Sequence, residues 1–306
     1  MKTPVSELVR RSISGDAIKK RPVITGQDCP ILAELSSAKS GKAAVFAHSS
    51  EADPGNLLPN VLPKSRSGCR LPDCALAIFT RSPRAGFSKT RLIPLLGAQG
   101  AAEMQRASLA DAVEKIKALH GLAALYLIKT GRSSERADRL ALGSPHVHVL
   151  PQRGKDLGER LNRAFGFLLQ RHRRAIVTGT DSPELPAQTL LQALQELCWC
   201  EAVLGPCPDG GYYLIGLRRG AGGARRGRLL GDVRWGTRWA LRDTLRNLIS
   251  AGVSCSLLQP LADVDRPADF IALRRRMKGN AATRRIAPAT WRFVGAFDIA
   301  AARKSR

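Results

Sequence analysis

Four stretches of the 306-residue chain carry side chains suited to chemistry. The first, FTRSPRAGFSKTRL (Phe79–Leu92), puts Arg81, Arg84, Lys89 and Arg91 into eleven residues. Gly86 lets the backbone between them turn and approach a ligand closely. Backbone N–H groups there can cradle phosphate oxygens while the cations neutralise them. A di- or triphosphate is the matching ligand, and a solvated basic turn is the bland alternative. The GxxxxGK[ST] phosphate loop is absent. The other three stretches are acidic. TGTDSPELP (Thr178–Pro186) offers Asp181, which can hold Mg²⁺ or Mn²⁺ beside a phosphate or, with Ser182, can cap the next helix. GPCPDGGYYLIGL (Gly205–Leu217) offers Asp209, Gly210, Gly211 and Tyr212, readable as a ligand contact or as a plain hairpin turn. ADVDRPADF (Ala262–Phe270) ends the last predicted strand and offers Asp263 and Asp265, which alternate with Val264 and so face the same side of it. Asp265 reads as a second metal carboxylate or as a cap before Pro267.

The elements that must position these residues follow from hydrophobic periodicity. Ala75–Phe79 is a short apolar run that predicts a buried strand directly before the basic loop. Residues 98–119 then predict a helix with Leu109, Ala112, Val113, Ile116 and Leu119 on one face. Strands are predicted over 122–128, 147–150, 175–178, 202–204, 212–217 and 254–258. Helices are predicted over 133–142, 156–171, 185–197, 237–249 and 267–277. The alternation predicts an α/β fold, a mainly parallel sheet sandwiched by helices. Ligands of such sheets bind at the carboxyl ends of the strands, where Asp181 and the basic loop fall. A fifth stretch, QRGKDLGERL (Gln152–Leu161), opens the most amphipathic helix. Gly154, Asp156, Gly158 and Arg160 in it can lie over a nucleotide, or Asp156 can simply cap the helix.

Composition limits the alternatives. The net charge is +24, with 49 Lys and Arg against 25 Asp and Glu. Such a surface attracts anions of any size, but the basic residues are scattered and no nucleic-acid motif accompanies them. A nucleic-acid partner is therefore the reading least supported. The seven cysteines form no CxxC pair, which predicts free thiols in a reducing compartment. No stretch approaches the ~20 apolar residues of a membrane span, and the start of the chain lacks a secretory apolar core; cytoplasm is the expected location. Residues 1–72 are rich in Ser, Ala, Pro and Lys with weak periodicity and are expected to be a mostly disordered extension. Residues 73–278 are the expected domain, and 279–306 a basic tail.

Taken together and in this order, the five quoted motifs resemble the bacterial GT-A-like transferases called arsenosugar biosynthesis glycosyltransferases, or selenodomain-associated transferases. The resemblance covers roughly residues 74–275. It implies a nucleotide-diphospho-sugar transferase fold, with Arg81, Lys89 and Arg91 toward phosphates and Asp181 and Asp265 toward the metal. Arg266 departs from the usual Thr, and Cys207-Pro208 from a commoner small-acidic pair. The expected activity is metal-dependent glycosyl transfer from a nucleotide sugar to a small acceptor. Lys89 would stabilise the leaving group and Asp209 would orient the acceptor or act as base. The rival is nucleotidyl transfer from an NTP to a phosphorylated small molecule.

Overall fold

The computed structural model of the chain describes residues 45–47, 73–131 and 144–297. Among them, eight strands form one sheet: β1 (Val45–Ala47), β2 (Cys74–Thr80), β3 (Ala124–Lys129), β4 (Val147–Pro151), β5 (Arg174–Thr178), β6 (Ala202–Pro206), β7 (Tyr212–Arg218) and β8 (Cys255–Leu257). Their spatial order is β1-β8-β6-β7-β5-β2-β3-β4. β2 pairs in parallel with β3 and β5, β3 with β4, and β8 with β6 and β1. Only β7 runs antiparallel to its neighbours, β5 and β6. The chain winds outward through β2, β3 and β4, then returns to β5 on the other flank of β2. That reversal opens a crevice at the carboxyl ends of β2 and β5.

The described helices are α1 (Ile93–Lys117), α2 (Leu157–Arg171), α3 (Ala187–Glu196), α4 (Ala240–Ser250), α5 (Pro267–Gly279), α6 (Ala281–Ile286) and α7 (Pro288–Ala296). β2 is apolar from Cys74 to Phe79 because both of its faces are covered. Ala75 and Ala77 share one core cluster with Leu161, Phe165 and Leu168 of α2 and Leu241, Leu245 and Leu248 of α4. Leu76 and Ile78 share a second cluster with Val113 and Ile116 of α1 and Leu190 and Leu194 of α3. The small residues of one face admit the bulky side chains of α2. Truncating the fully buried Phe165 to Ala would cost about 3–5 kcal/mol.

The expected helix over 98–119 begins earlier. A short first turn, with Pro94 near its start, leads into the main helix across a break at Gly97 (φ 69°, ψ 169°). The helix expected over 133–142 lies outside the described residues. Of the expected extension 1–72, only the backbone of β1 is described; it pairs with β8 at one edge of the sheet. Of the stretch from 279, α6 and α7 are described. Val294 of α7 packs with Phe270, Leu273 and Met277 of α5 and Leu92 and Met104, with Trp291, Phe293 and Phe297 alongside. Asp111, buried on α1, accepts from the first amides of α7, Ala289 N at 2.9 Å and Thr290 N at 2.7 Å. A buried carboxylate is well placed against those unpaired N–H groups. Among the described residues no helix is long and apolar enough to cross a membrane.

Candidate active site

Three strand ends converge on one lysine. The amide of Val264, in the segment after β8, donates to the carbonyl of Asp181 after β5 at 2.8 Å. This single backbone bond brings Asp181 and Asp265 together. Lys89 comes from the loop after β2. Its Nζ donates to Asp181 Oδ1 at 2.5 Å and to the Val264 carbonyl at 2.8 Å, and lies 3.8 Å from Asp265 Oδ1. Arg91 reaches Asp265 Oδ2 at 3.4 Å. The Lys89 side chain is 2% exposed, while Asp181 and Asp265 are 51% and 39% exposed. The ammonium thus lies beneath two carboxylates that face solvent. Lys89 also has φ 44° and ψ 46°, a left-handed conformation that costs a residue with a Cβ on the order of 1 kcal/mol or more. The backbone bends to deliver this side chain.

The helix-capping alternatives for both aspartates fail. α3 starts at Pro186 without a side-chain cap. At α5 the N-cap is Arg266, and it is Asp269 that accepts from the amides of Asp265 (3.1 Å) and Arg266 (2.7 Å). Asp263 and Asp265 do not share a strand face either: β8 stops at Leu257, and both residues lie in irregular chain before α5. Pro260 and Pro267 bracket this segment and discourage further strand pairing.

The carboxylates crowd one another. Burial, then Asp209 and Asp265, push Asp263 up to about 6. Burial and then Asp181 raise Asp265, against the opposing pull of Lys89 and Arg91. Burial raises the Cys207 thiol, with Asp263 and Asp209 adding to it. Partly exposed, mutually repelling oxygens suit a hard divalent cation. Among the described residues no group of three or more His, Cys, Asp or Glu forms a ready metal cage. Asp181 and Asp265 are the two carboxylates that could hold such a cation.

Asp209 occupies the tight connection between β6 and β7, where its Oδ1 accepts from Gly211 N at 2.9 Å. Gly210 (φ 86°) is required there, since a Cβ would collide with the carbonyl of Arg238. The Gly210 carbonyl accepts from Leu241 N at 2.9 Å. Tyr212 packs edge-on against Trp235, and its hydroxyl meets Thr244 at 3.4 Å. Tyr213 is a core residue whose hydroxyl donates to the Gln259 carbonyl at 3.0 Å.

The QRGKDLGERL stretch serves the start of α2. Asp156 caps it by accepting from Glu159 N at 2.8 Å, and Arg160 Nε donates to the Gly154 carbonyl at 3.0 Å. At Gly158 a Cβ would lie 2.7 Å from Trp235 Nε1. The stretch touches the basic loop through Gln152, which donates to the Thr80 carbonyl at 2.9 Å. Within that loop Arg81 and Gly86 are exposed, and Arg84 stacks on Phe87 at 4.4 Å.

Two features escaped the sequence reading. Gln105 of α1, 3% exposed, donates to Thr80 Oγ1 and Thr180 Oγ1, both at 2.9 Å, and so ties the ends of β2 and β5 together. Its signal was a polar residue among Ala101, Ala102, Met104 and Ser108, which are buried positions of the same helix. The Arg238 backbone presses on the Asp209 turn at Gly210, a contact between distant segments with no local signature.

Residues 112–237 match the profile of a family described as an uncharacterized protein conserved in bacteria, DUF2064. That span includes Asp181 and the Asp209 turn and excludes Lys89 and Asp265. A protein from Desulfovibrio desulfuricans G20, assigned as a candidate nucleotide-diphospho-sugar transferase, is 27% identical with a TM-score of 0.67, over 76% of this chain and 97% of its own. The chain has the GT-A-like fold. A 4-diphosphocytidyl-2C-methyl-D-erythritol synthase from Anaerococcus prevotii DSM 20548 is 9% identical with a TM-score of 0.47, over 69% of this chain and 100% of its own. A cytidylyltransferase from Leptospira borgpetersenii is 11% identical with a TM-score of 0.46, over 76% of this chain and 93% of its own. Both are looser likenesses than the first. No curated protein matches the sequence.

Proposed function

We propose that this chain is a metal-dependent glycosyltransferase that uses a nucleotide-sugar donor, of the kind named for arsenosugar biosynthesis. The observation that carries this reading is the convergence of Asp181 and Asp265 on Lys89 at the strand ends, with both carboxylates facing solvent and neither serving as a helix cap. A divalent cation held by Asp181 and Asp265 would supply charge neutralisation for a diphosphate. Lys89 and Arg91 hold positive charge beside the same carboxylates and stabilise the departing nucleoside diphosphate. Arg81 and the turn at Gly86 receive the outer phosphate oxygens. Asp209 lies across the carboxylate cluster and orients the acceptor or takes its proton. The stretch Gly154–Arg160 flanks the nucleotide through its packing on Trp235.

Nucleotidyl transfer from an NTP is the second reading, favoured by the density of cations between Arg81 and Arg91. Product analysis separates the two. The purified chain is incubated with Mn²⁺ and either a panel of sugar nucleotides or a panel of NTPs, each with candidate acceptors. Nucleoside diphosphate release from a sugar nucleotide is expected, and pyrophosphate release from an NTP would replace the first reading with the second. A chain stabilised against heat by neither class, with or without Mn²⁺, would defeat both.

A further inference from the structure

Asp181 sits in a segment that is held at every residue from Gly179 to Glu184. The Gly179 amide donates to the Tyr213 carbonyl of β7 at 3.1 Å, and the Val264 amide to the Asp181 carbonyl at 2.8 Å. Gln105 of α1 reaches Thr180 Oγ1 at 2.9 Å. The Ser182 carbonyl accepts from Leu185 N at 3.1 Å, which closes the turn. Arg276 of α5 grips Glu184, its Nε donating to Oε2 at 2.9 Å. Pro183 has no N–H, so its carbonyl is the backbone group by which a partner can hold it. That carbonyl accepts from Lys115 Nζ of α1 at 2.5 Å.

The reaction as proposed makes no use of Lys115. This lysine lines a small cavity beside the turn, together with Ser108, Ala112, Ser182 and Leu190. Its ammonium therefore has room, and is drawn to the carbonyl rather than pressed on it. Bringing a charge there is costly. Burial lowers the Lys115 pKa from 10.5 to about 8, against Asp111 and Glu184, which raise it. Both carboxylates serve other donors: Asp111 accepts from the first amides of α7, and Glu184 from Arg276. They balance the Lys115 charge, while the Pro183 carbonyl takes its hydrogen bond. A hydrogen bond from an ammonium is stronger than one between neutral groups, so the turn gains a firm anchor two residues from Asp181.

We propose that Lys115 is a positioning residue for Asp181. By holding the Pro183 carbonyl it fixes the turn in the arrangement that keeps the Asp181 carboxylate over Lys89 and the Asp181 carbonyl on the Val264 amide. The bearing of this hold on catalysis rests on the transferase reading above; the hold itself does not.

Amide hydrogen exchange on the full chain tests it. The parent is compared with K115M, with K115Q, which keeps a polar group in the cavity, and with K117M, a change at a nearby lysine that pairs with Glu114 at 2.7 Å. In K115M and K115Q the amides of Asp181, Ser182 and Val264 should exchange faster, on the order of tenfold or more, while those of β3 keep the parent's rates. K117M should leave both sets unchanged. Unchanged exchange at the turn would overturn the proposal. So would an equal acceleration in β3, or failure of both Lys115 variants to fold, since either shows only a general loss of stability. If K115M alone fails to fold, K115Q decides. Titration with Mn²⁺ in the presence of UDP and of GDP reads the transferase assignment separately. A parent that binds no Mn²⁺ would undo that assignment and leave the exchange rates to decide the role of Lys115. A parent that binds it should lose affinity on the order of tenfold in K115M or K115Q, and equal affinity despite a loosened turn would overturn the positioning of Asp181.

Discussion

The two flanks of the site handle charge in opposite ways. On the β2 and β5 side, Lys89 and the carboxylates of Asp181 and Asp265 neutralise one another within a few ångströms. On the β6 side, guanidinium groups crowd an aromatic ring, with the Asp243 carboxylate bound to Arg234. The first flank is balanced, with Lys89 and Arg91 set against Asp181 and Asp265. The second sets Arg238, exposed and paired with no carboxylate among the described residues, beside that ring. The two flanks of one sheet edge thus differ in whether charge is cancelled by carboxylates or held against an aromatic ring.

The largest effect should come from breaking the balanced flank. Asp181→Asn should lower turnover on the order of a thousandfold, as loss of several kcal/mol of charge stabilisation implies, and Asp265→Asn should do the same or nearly so. Both variants should still fold, with Asp181→Asn melting below the parent because the buried Lys89 ammonium loses its charged partner. Steady-state rates with the best donor, alongside melting curves, check this; retained, Mn²⁺-responsive activity in both variants would remove the metal site. Lys89→Ala should come next, weakening nucleoside diphosphate binding tenfold to a hundredfold by calorimetry. Affinity equal to the parent's would place the phosphates elsewhere.

Acid titration sharpens the comparison, because one carboxyl on each flank is displaced, and in opposite directions. Asp263 is raised from 3.8 to about 6. The folded protein therefore holds this proton more tightly than the unfolded chain, and the stability it contributes is present below pH 3.8 and lost as pH rises through 6. Asp243 is lowered from 3.8 to about 2, chiefly by its bond to Arg234. Its contribution is present above pH 3.8 and lost as pH falls through 2. Asp263→Asn should thus raise the melting temperature at pH 7 by a few degrees and not at pH 3.5. Asp243→Asn should lower it at pH 7, with the difference closing toward pH 2. Melting curves across pH 2–8 that show the same sign for both would refute the opposed environments. The smallest effect is expected from deleting residues 1–72. Three residues of β1 pair with β8 in that span, so a melting temperature within a few degrees of the full chain's is anticipated. A large fall would mean that the domain begins earlier than residue 73.

Much of the fold was legible because its signals are local. The apolar run of β2, the 3.6-residue period and Asp156 cap of α2, and the strand ending in TGTD each declare themselves within a dozen residues. Asp181 and Asp265 were legible as candidates for the same reason, since each follows a predicted strand. What chemistry surrounds them was not. The Val264–Asp181 bond, the left-handed turn at Lys89 and the bridge from Gln105 to Thr80 and Thr180 depend on segments far apart in the chain. The strand expected to carry Asp263 and Asp265 ended early for a long-range reason too, as β8 pairs only alongside β6 and β1. The docking of α7 on Asp111 of α1 depends on a carboxylate 178 residues away.

The place of β1 has a consequence for behaviour in solution. With Val45–Ala47 beside it, β8 is an inner strand, and its row of N–H and C=O groups on that side is satisfied. Removing β1 would hardly unfold the protein, but it would bare a short ribbon of unpaired backbone. Such an edge invites strands from other molecules. A truncated chain should accordingly melt like its parent yet sediment as larger species when concentrated, so the same three residues that matter little to stability would govern self-association.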